Sequence, residues 1–274
     1  MTTFSLRRQR SIITLVVIIL ALLAGHLALQ VAFYPLAICS GFLLFALIIL
    51  LTLFNARKKL PFLPLLKASH WLQFHAYAGW LSVVVFLLHI DWRIPHGTLE
   101  QILAAVFVVV AGSGIFGMIL SRMLPPRITR SGDPIIFERI PGLRRRLLEH
   151  TDALVLKAEE TTGSTSLADF YGKHLRRYLD HQPAWFLAMR NLDRRNSSIS
   201  TELKSIQRYL NADELAVSAE LADIIEAKRD LDFQYSAQRL LKTWLFIHIP
   251  LTYSLLILGV VHACIALSYS SSAW

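Results

Sequence analysis

Residues 75–89 read HAYAGWLSVVVFLLH, and residues 248–262 read HIPLTYSLLILGVVH. Each stretch is apolar almost throughout, begins and ends with histidine, and holds its two imidazoles fourteen positions apart. Neutral imidazole is the commonest metal ligand among side chains. A lone histidine in an apolar helix is more often a contact satisfied by a neighbouring backbone or hydroxyl group; two pairs with one spacing ask for more. Fourteen residues turn a helix through about 1400°, roughly 40° short of four full turns, with a rise of about 21 Å. Both members of a pair therefore share one face and lie near opposite ends of a membrane-length helix.

The composition predicts the solvent around that face. Of 274 residues, 54% are hydrophobic and only 17% charged, far from the balance of a soluble domain. Three runs, Ile12 to Phe33, Leu36 to Phe54 and Ile102 to Leu120, exceed or approach the 20 or so residues needed to cross about 30 Å of hydrocarbon. Two more, about Trp71 to Ile90 and Trp244 to Leu267, have the same length and carry the paired histidines. The expected fold is all-α, an integral membrane bundle of five spans. The first run is too long for a removable signal peptide and lacks a small-residue cleavage site, so it is expected to stay as a helix.

Basic residues in short flanks set the expected orientation. Arg7, Arg8 and Arg10 precede span one; Arg57, Lys58, Lys59 and Lys67 lie between spans two and three; Arg122, Arg127 and Arg130 follow span four. All three clusters fall on one side, which places the N-terminus in the cytoplasm. The other side has Tyr34 and Pro35, a short loop from Asp91 to Glu100 and the uncharged tail SYSSSAW. The localisation implied is a bacterial inner membrane, with the C-terminus periplasmic.

Three regions follow: residues 1–121 with spans one to four, residues 122–242 as a mostly helical cytoplasmic insert, and residues 243–274 with span five. The insert holds 20 of the 28 Lys and Arg and 17 of the 19 Asp and Glu, a net charge of +3. That modest excess suits a docking face or lipid headgroups rather than nucleic acid. PPRITRSGDPIIFERIPG, residues 125–142, is expected as a hairpin-like lip. LRRRLLEHTDALVLKAEE and SLADFYGKHLRRYL show helical periodicity. Asn211 with Glu214 three residues on is a helix start, and no Pro or Gly follows before Pro250. That helix is expected to run directly into span five.

Spans three and five point the same way through the membrane, so His75 faces His248 near the cytoplasmic leaflet and His89 faces His262 near the far one. Each facing pair could supply both axial ligands of one iron porphyrin. The expectation is two non-covalent b haems stacked across the bilayer, about 20 Å apart iron to iron by the helical rise. Gly79, one turn after His75, and Gly259, three residues before His262, would let a porphyrin lie against backbone; close helix packing explains them as well. Arg93 and His96 on one side, and His70, Lys67 and Arg122 on the other, could pair with propionates, or simply anchor the helices at the interface. Pro250 is placed to bend span five and aim His248.

Parallel third and fifth spans with these His pairs resemble the haem core of the ferric-reductase-like and NADPH-oxidase membrane domain. More loosely, they resemble the di-haem cytochrome b of quinol-oxidising complexes. The resemblance covers about residues 71–122 and 244–267, and SGIFGMILSRMLPP at 113–126 looks like the glycine-rich fourth-helix exit of bacterial relatives. A sixth helix of that core has no counterpart here, and the long insert is foreign to the reductase pattern.

Gly112, Gly114 and Gly117 have GxGxxG spacing, yet lie inside an apolar run with no strand before them, so they read as packing rather than a nucleotide fingerprint. Cys39 and Cys264 are the only cysteines and both fall in spans, which leaves no iron–sulfur ligand set and no CxxCH haem attachment. His26, His150, His174 and His181 read as packing or surface residues, without carboxylates at metal-ligand spacing.

The expected function is transmembrane electron transfer by a di-haem b-type cytochrome subunit. Its expected partners are redox subunits, a c-type cytochrome or an iron–sulfur protein, together with membrane lipid; quinol is a further candidate as donor and quinone as a bound cofactor. No catalytic residue is assigned. Two alternatives stand beside it: a metal or quinone reductase fed by a separate flavoprotein, and a non-redox helical adaptor whose histidines bond between helices.

Overall fold

The computed structural model describes residues 3–31, 36–56, 68–130, 135–163, 165–182 and 198–270. Its helices are α1 (Thr3–Val31), α2 (Leu36–Ala56), α3 (Ala68–His89), α4 (Thr98–Arg130), α5 (Ile140–Thr162), α6 (Ser166–Phe170), α7 (Arg176–Asp180), α8 over 198–206 and α9 (Ala212–Ser270). Among the described residues there is no strand. Five helices, α1 to α4 and α9, are long and apolar enough to cross a membrane. The chain divides into two compact units, one of residues Met1–Met118 with Leu245–Trp274, the other of Ile119–Trp244.

In the first unit the spans meet around Leu44, Leu47 and Ile48 of α2, Val85 and Phe86 of α3, Phe107 of α4 and Leu255 of α9. Phe86 and Phe107 stack with centroids 4.2 Å apart, a geometry that adds about 1 kcal/mol to the area they bury. Outward-facing residues are also apolar: Val17, Leu27, Phe42, Val108, Ile257 and Ile265 are all exposed. In water such a surface would be an aggregation liability; against hydrocarbon it is the required one. Polar side chains on these helices bond both along their own helix and to a neighbouring one. Ser82 donates to the Gly79 carbonyl at 2.8 Å, and Gln73 on α3 donates to Ser11 on α1 at 3.2 Å.

α3 ends by a defined stop. Asp91 and Trp92 adopt left-handed backbone, φ 50° and 57°, and their N–H groups bond the carbonyls of Leu88 and Leu87 at 3.2 and 3.1 Å. These are the paired bonds of a Schellman cap, here built without glycine. The stop fixes His89 in the last turn of its helix.

The second unit has an ordinary polar-outside architecture. Its core gathers Val155 of α5, Leu167, Phe170, Leu175 and Leu179 along 166–180, Ile199 and Leu203 of α8, and Leu221 and Ile225 of α9. Between α6 and α7, residues Tyr171–Leu175 form a π turn. It brings Tyr171 to the Asp152 carboxylate, to which the phenol donates. Burial and that carboxylate push the Tyr171 phenol above its ordinary range. α9 begins where Glu214 accepts from the Asn211 N–H at 2.8 Å, half of a capping box. It then runs unbroken through Pro250 to Ser270, as the lack of earlier Pro or Gly predicts.

The expected lip differs. α4 continues through Pro125 and Pro126 to Arg130, and Phe137–Arg139 form a 3₁₀ turn leading straight into α5. The described backbone of this stretch finds side chains rather than a partner strand: the Ile135 N–H donates to Gln234 Oε1 at 2.9 Å, and Gln238 donates to the Ile135 carbonyl at 2.8 Å. Residues 131–134 lie outside the described residues, as do Tyr34, Pro35, Arg57, Lys58, Lys59, Lys67 and the tail from 271.

Candidate haem-ligand pairs

The four paired histidines all lie in the first unit. The His89 and His262 rings have centroids 6.3 Å apart, with planes at 83°. His75 and His248 are electrostatic neighbours. Since the earlier histidine of α3 meets the earlier one of α9, and the later meets the later, the two helices run parallel through the site. All four imidazoles are half-buried.

At 6.3 Å between centroids, the His89 and His262 rings are close enough that both could reach one metal ion, given metal–nitrogen bonds of about 2 Å. At the other pair, His75 Nδ1 is buried without a hydrogen-bond partner. Phe54 of α2 lies against this ring at 4.8 Å between centroids. Two imidazoles at each position are a donor set that could hold a haem: His75 with His248 and His89 with His262 are the residues that would do so.

The nearby glycines separate into two kinds. A Cβ on Gly79 would meet nothing within 4 Å, which leaves free space one turn from His75. A Cβ on Gly259 would lie 3.5 Å from the Phe45 ring, so this glycine serves helix packing. Of the GxGxxG set, Gly114 stands beside His248, whose Cε1 would be 3.8 Å from an added Cβ.

Two serines escaped the sequence reading. Ser40 Oγ on α2 lies 3.1 Å from His89 Nδ1, and Ser113 Oγ on α4 lies 2.5 Å from His248 Nδ1. The signal was weak because the partners are 49 and 135 residues apart. The only trace is that each serine precedes a glycine.

Other candidates are placed elsewhere. Arg93 is exposed and pairs with Asp91 at 3.4 Å; His70 and His96 are exposed; Arg122 is exposed and belongs to the second unit. In that unit His150 pairs with Glu220 at 3.0 Å and His174 with Glu202 at 3.1 Å, carboxylates supplied by other helices and invisible to local spacing. Among the described residues no group of three or more His, Cys, Asp or Glu is arranged to hold a metal ion; a bis-histidine site has only two protein ligands. No family model, curated protein or solved structure matches the chain.

Proposed function

We propose that this chain is a membrane di-haem b-type cytochrome that carries electrons across the bilayer as a subunit of a larger oxidoreductase assembly. The single observation that carries the reading is the pairing of histidines fourteen apart on two parallel helices, with His89 and His262 at 6.3 Å between centroids. Each bound b haem would supply a one-electron ferric–ferrous couple. The chain's own residues do the rest. His75, His248, His89 and His262 would hold the iron; Phe54, Phe86, Phe107 and Leu255 keep the interior apolar; and the open space at Gly79 would accept a flat ring. An apolar, water-poor interior favours electron passage without proton leakage.

The basic flanks support a cytoplasmic N-terminus and a periplasmic C-terminus in a bacterial inner membrane. With two cysteines, both in spans, the sequence offers no iron–sulfur centre of its own, which supports partner redox proteins or quinol as donor and acceptor. The test is purified protein in sealed vesicles, with a reductant outside and a membrane-impermeant oxidant trapped inside. Oxidant reduction is expected in haem-loaded vesicles and not in His89→Ala vesicles; equal rates in both would refute transmembrane transfer by this chain.

A further inference from the structure

We propose that two Ser–Gly dipeptides, Ser40–Gly41 on α2 and Ser113–Gly114 on α4, are positioning clamps. Each fixes the tautomer and ring plane of one histidine in each pair, so that the two histidines that would hold each haem are unequal. The inference deepens the di-haem reading and rests on it for its consequences, although the clamp itself is a property of the chain.

The first clamp is read from proton bookkeeping. Ser40 Oγ donates its single hydrogen back along α2 to the Leu36 carbonyl at 2.7 Å. Its oxygen then faces His89 Nδ1 at 3.1 Å as an acceptor, which assigns the ring proton to Nδ1 in this proposal. The Ala37 carbonyl is a further acceptor for the same ring. With Nδ1 protonated, the neutral imidazole keeps its lone pair on Nε2, the form a metal needs. Gly41 completes the clamp: a Cβ there would come 3.0 Å from His89 Cε1, so the ring edge lies directly on the α2 backbone.

The second clamp repeats the arrangement on a different helix. Ser113 Oγ bonds the Val110 carbonyl at 3.0 Å and lies 2.5 Å from His248 Nδ1. The next residue, Gly114, is again the one nearest Cε1 of the clamped ring, at 3.8 Å for an added Cβ. Nδ1 contact by serine and Cε1 contact by the following glycine thus recur on helices that carry no ligand themselves.

Among the described residues, the other two histidines have no such serine beside them. His75 Nδ1 is buried without a hydrogen-bond partner, and the recorded contact of His262 is with the His89 ring. The clamped ligand comes from α3 in one pair and from α9 in the other. A hydrogen bond from the distal ring N–H orients the ligand and raises its basicity. Greater basicity favours ferric iron, so each clamp is expected to lower the potential of its own haem.

The experiment uses purified full-length protein and its Ser40→Ala, Ser113→Ala, Ser40→Thr, Gly41→Ala and Gly114→Ala variants. Redox titration followed by optical and paramagnetic-resonance spectra should show Ser40→Ala raising the midpoint of one haem and Ser113→Ala that of the other. Haem retention at the altered site should fall by about 10- to 100-fold. Ser40→Thr, which keeps a hydroxyl, should restore both readouts. Gly41→Ala should weaken the haem affected by Ser40→Ala, and Gly114→Ala, whose Cβ would come only to 3.8 Å from His248 Cε1, should weaken the other haem by less. Two haems with unaltered potentials and spectra in both serine variants would overturn the proposal. Nitrogen-15 spectra of histidine-labelled apoprotein decide the clamp independently of haem: Nδ1–H tautomers at His89 and His248, lost in the serine variants, support it, and Nε2–H tautomers in the native chain overturn it. A chain that never takes up haem would refute the di-haem reading and leave that tautomer result to stand by itself.

Discussion

Ile257 on α9, in the first unit, is 64% exposed, and Leu156 on α5, in the second, is 60% exposed. By exposure they are equivalent, yet their neighbours are not. Around Ile257 the exposed residues include Tyr253, Ser254, Val260 and Val261; around Leu156 they include Glu149, Ala153, Lys157, Glu159 and Glu160. An isolated apolar residue on a charged surface is unremarkable in water, whereas a continuous apolar exterior is stable only against lipid. The two units also treat buried polarity differently. The first bonds Ser40, Ser82, Ser113, Ser254 and Ser268 to carbonyls of their own helices and presents two of them to imidazoles. The second encloses charge: Lys228 (0% exposed), Arg144 (7%) and Asp232 (3%) lie together, with Asp232 accepting from Lys228 at 2.7 Å and from Arg144 at 2.5 Å.

The largest effect is expected where that charge network is cut. Asp232→Ala leaves two buried cations without the carboxylate they share and should cost about 3–5 kcal/mol, seen as a lower denaturation midpoint. If stability is unchanged, the network is not what holds the second unit. Next comes a matched pair of substitutions. Ile257→Asp places a carboxylate against hydrocarbon and should cost about 3 kcal/mol by insertion energetics, read as lost membrane insertion; Leu156→Asp should stay within about 0.5 kcal/mol. Equal costs would erase the distinction between the two solvents. Glu214→Ala removes the bond to the Asn211 N–H and should cost about 1 kcal/mol, measured by thermal unfolding.

The smallest effect is a matter of pH. The Tyr171 phenol is held above its ordinary value of 10.0 by burial first and then by the Asp152 carboxylate. Because the folded pKa is raised, the stability it contributes is fully present below pH 10.0 and is lost only as pH rises through the folded value. Tyr171→Phe should therefore have its full effect at neutral pH and abolish one late step in the alkaline phenolate titration. A native titration without such a late step would contradict it.

The spans and histidine pairs were legible because lipid imposes a long one-dimensional signal, and because fourteen residues return a helix nearly to the same face. The continuous α9 was legible too, from Asn211, Glu214 and the absence of Pro and Gly before Pro250. The lip was not. Pro125 and Pro126 look like a helix end, but α4 runs on to Arg130, and Ile135 is satisfied by Gln234 and Gln238 about a hundred residues later in the chain. Ser40 and Ser113 were missed for the same reason: a bond between helices leaves no periodicity in either one. The expected boundaries near 121 and 242 stand beside divisions after Met118 and Trp244, where α4 and α9 themselves continue uninterrupted.

The most direct test of the central claim is the haem content of the detergent-purified protein from haem-replete cells, by pyridine haemochrome assay with the dithionite-reduced minus oxidised spectrum. The account predicts two non-covalent b haems per chain and the loss of at least one in His75→Ala and in His262→Ala. A colourless native protein would contradict it and leave the four histidines as contacts between helices.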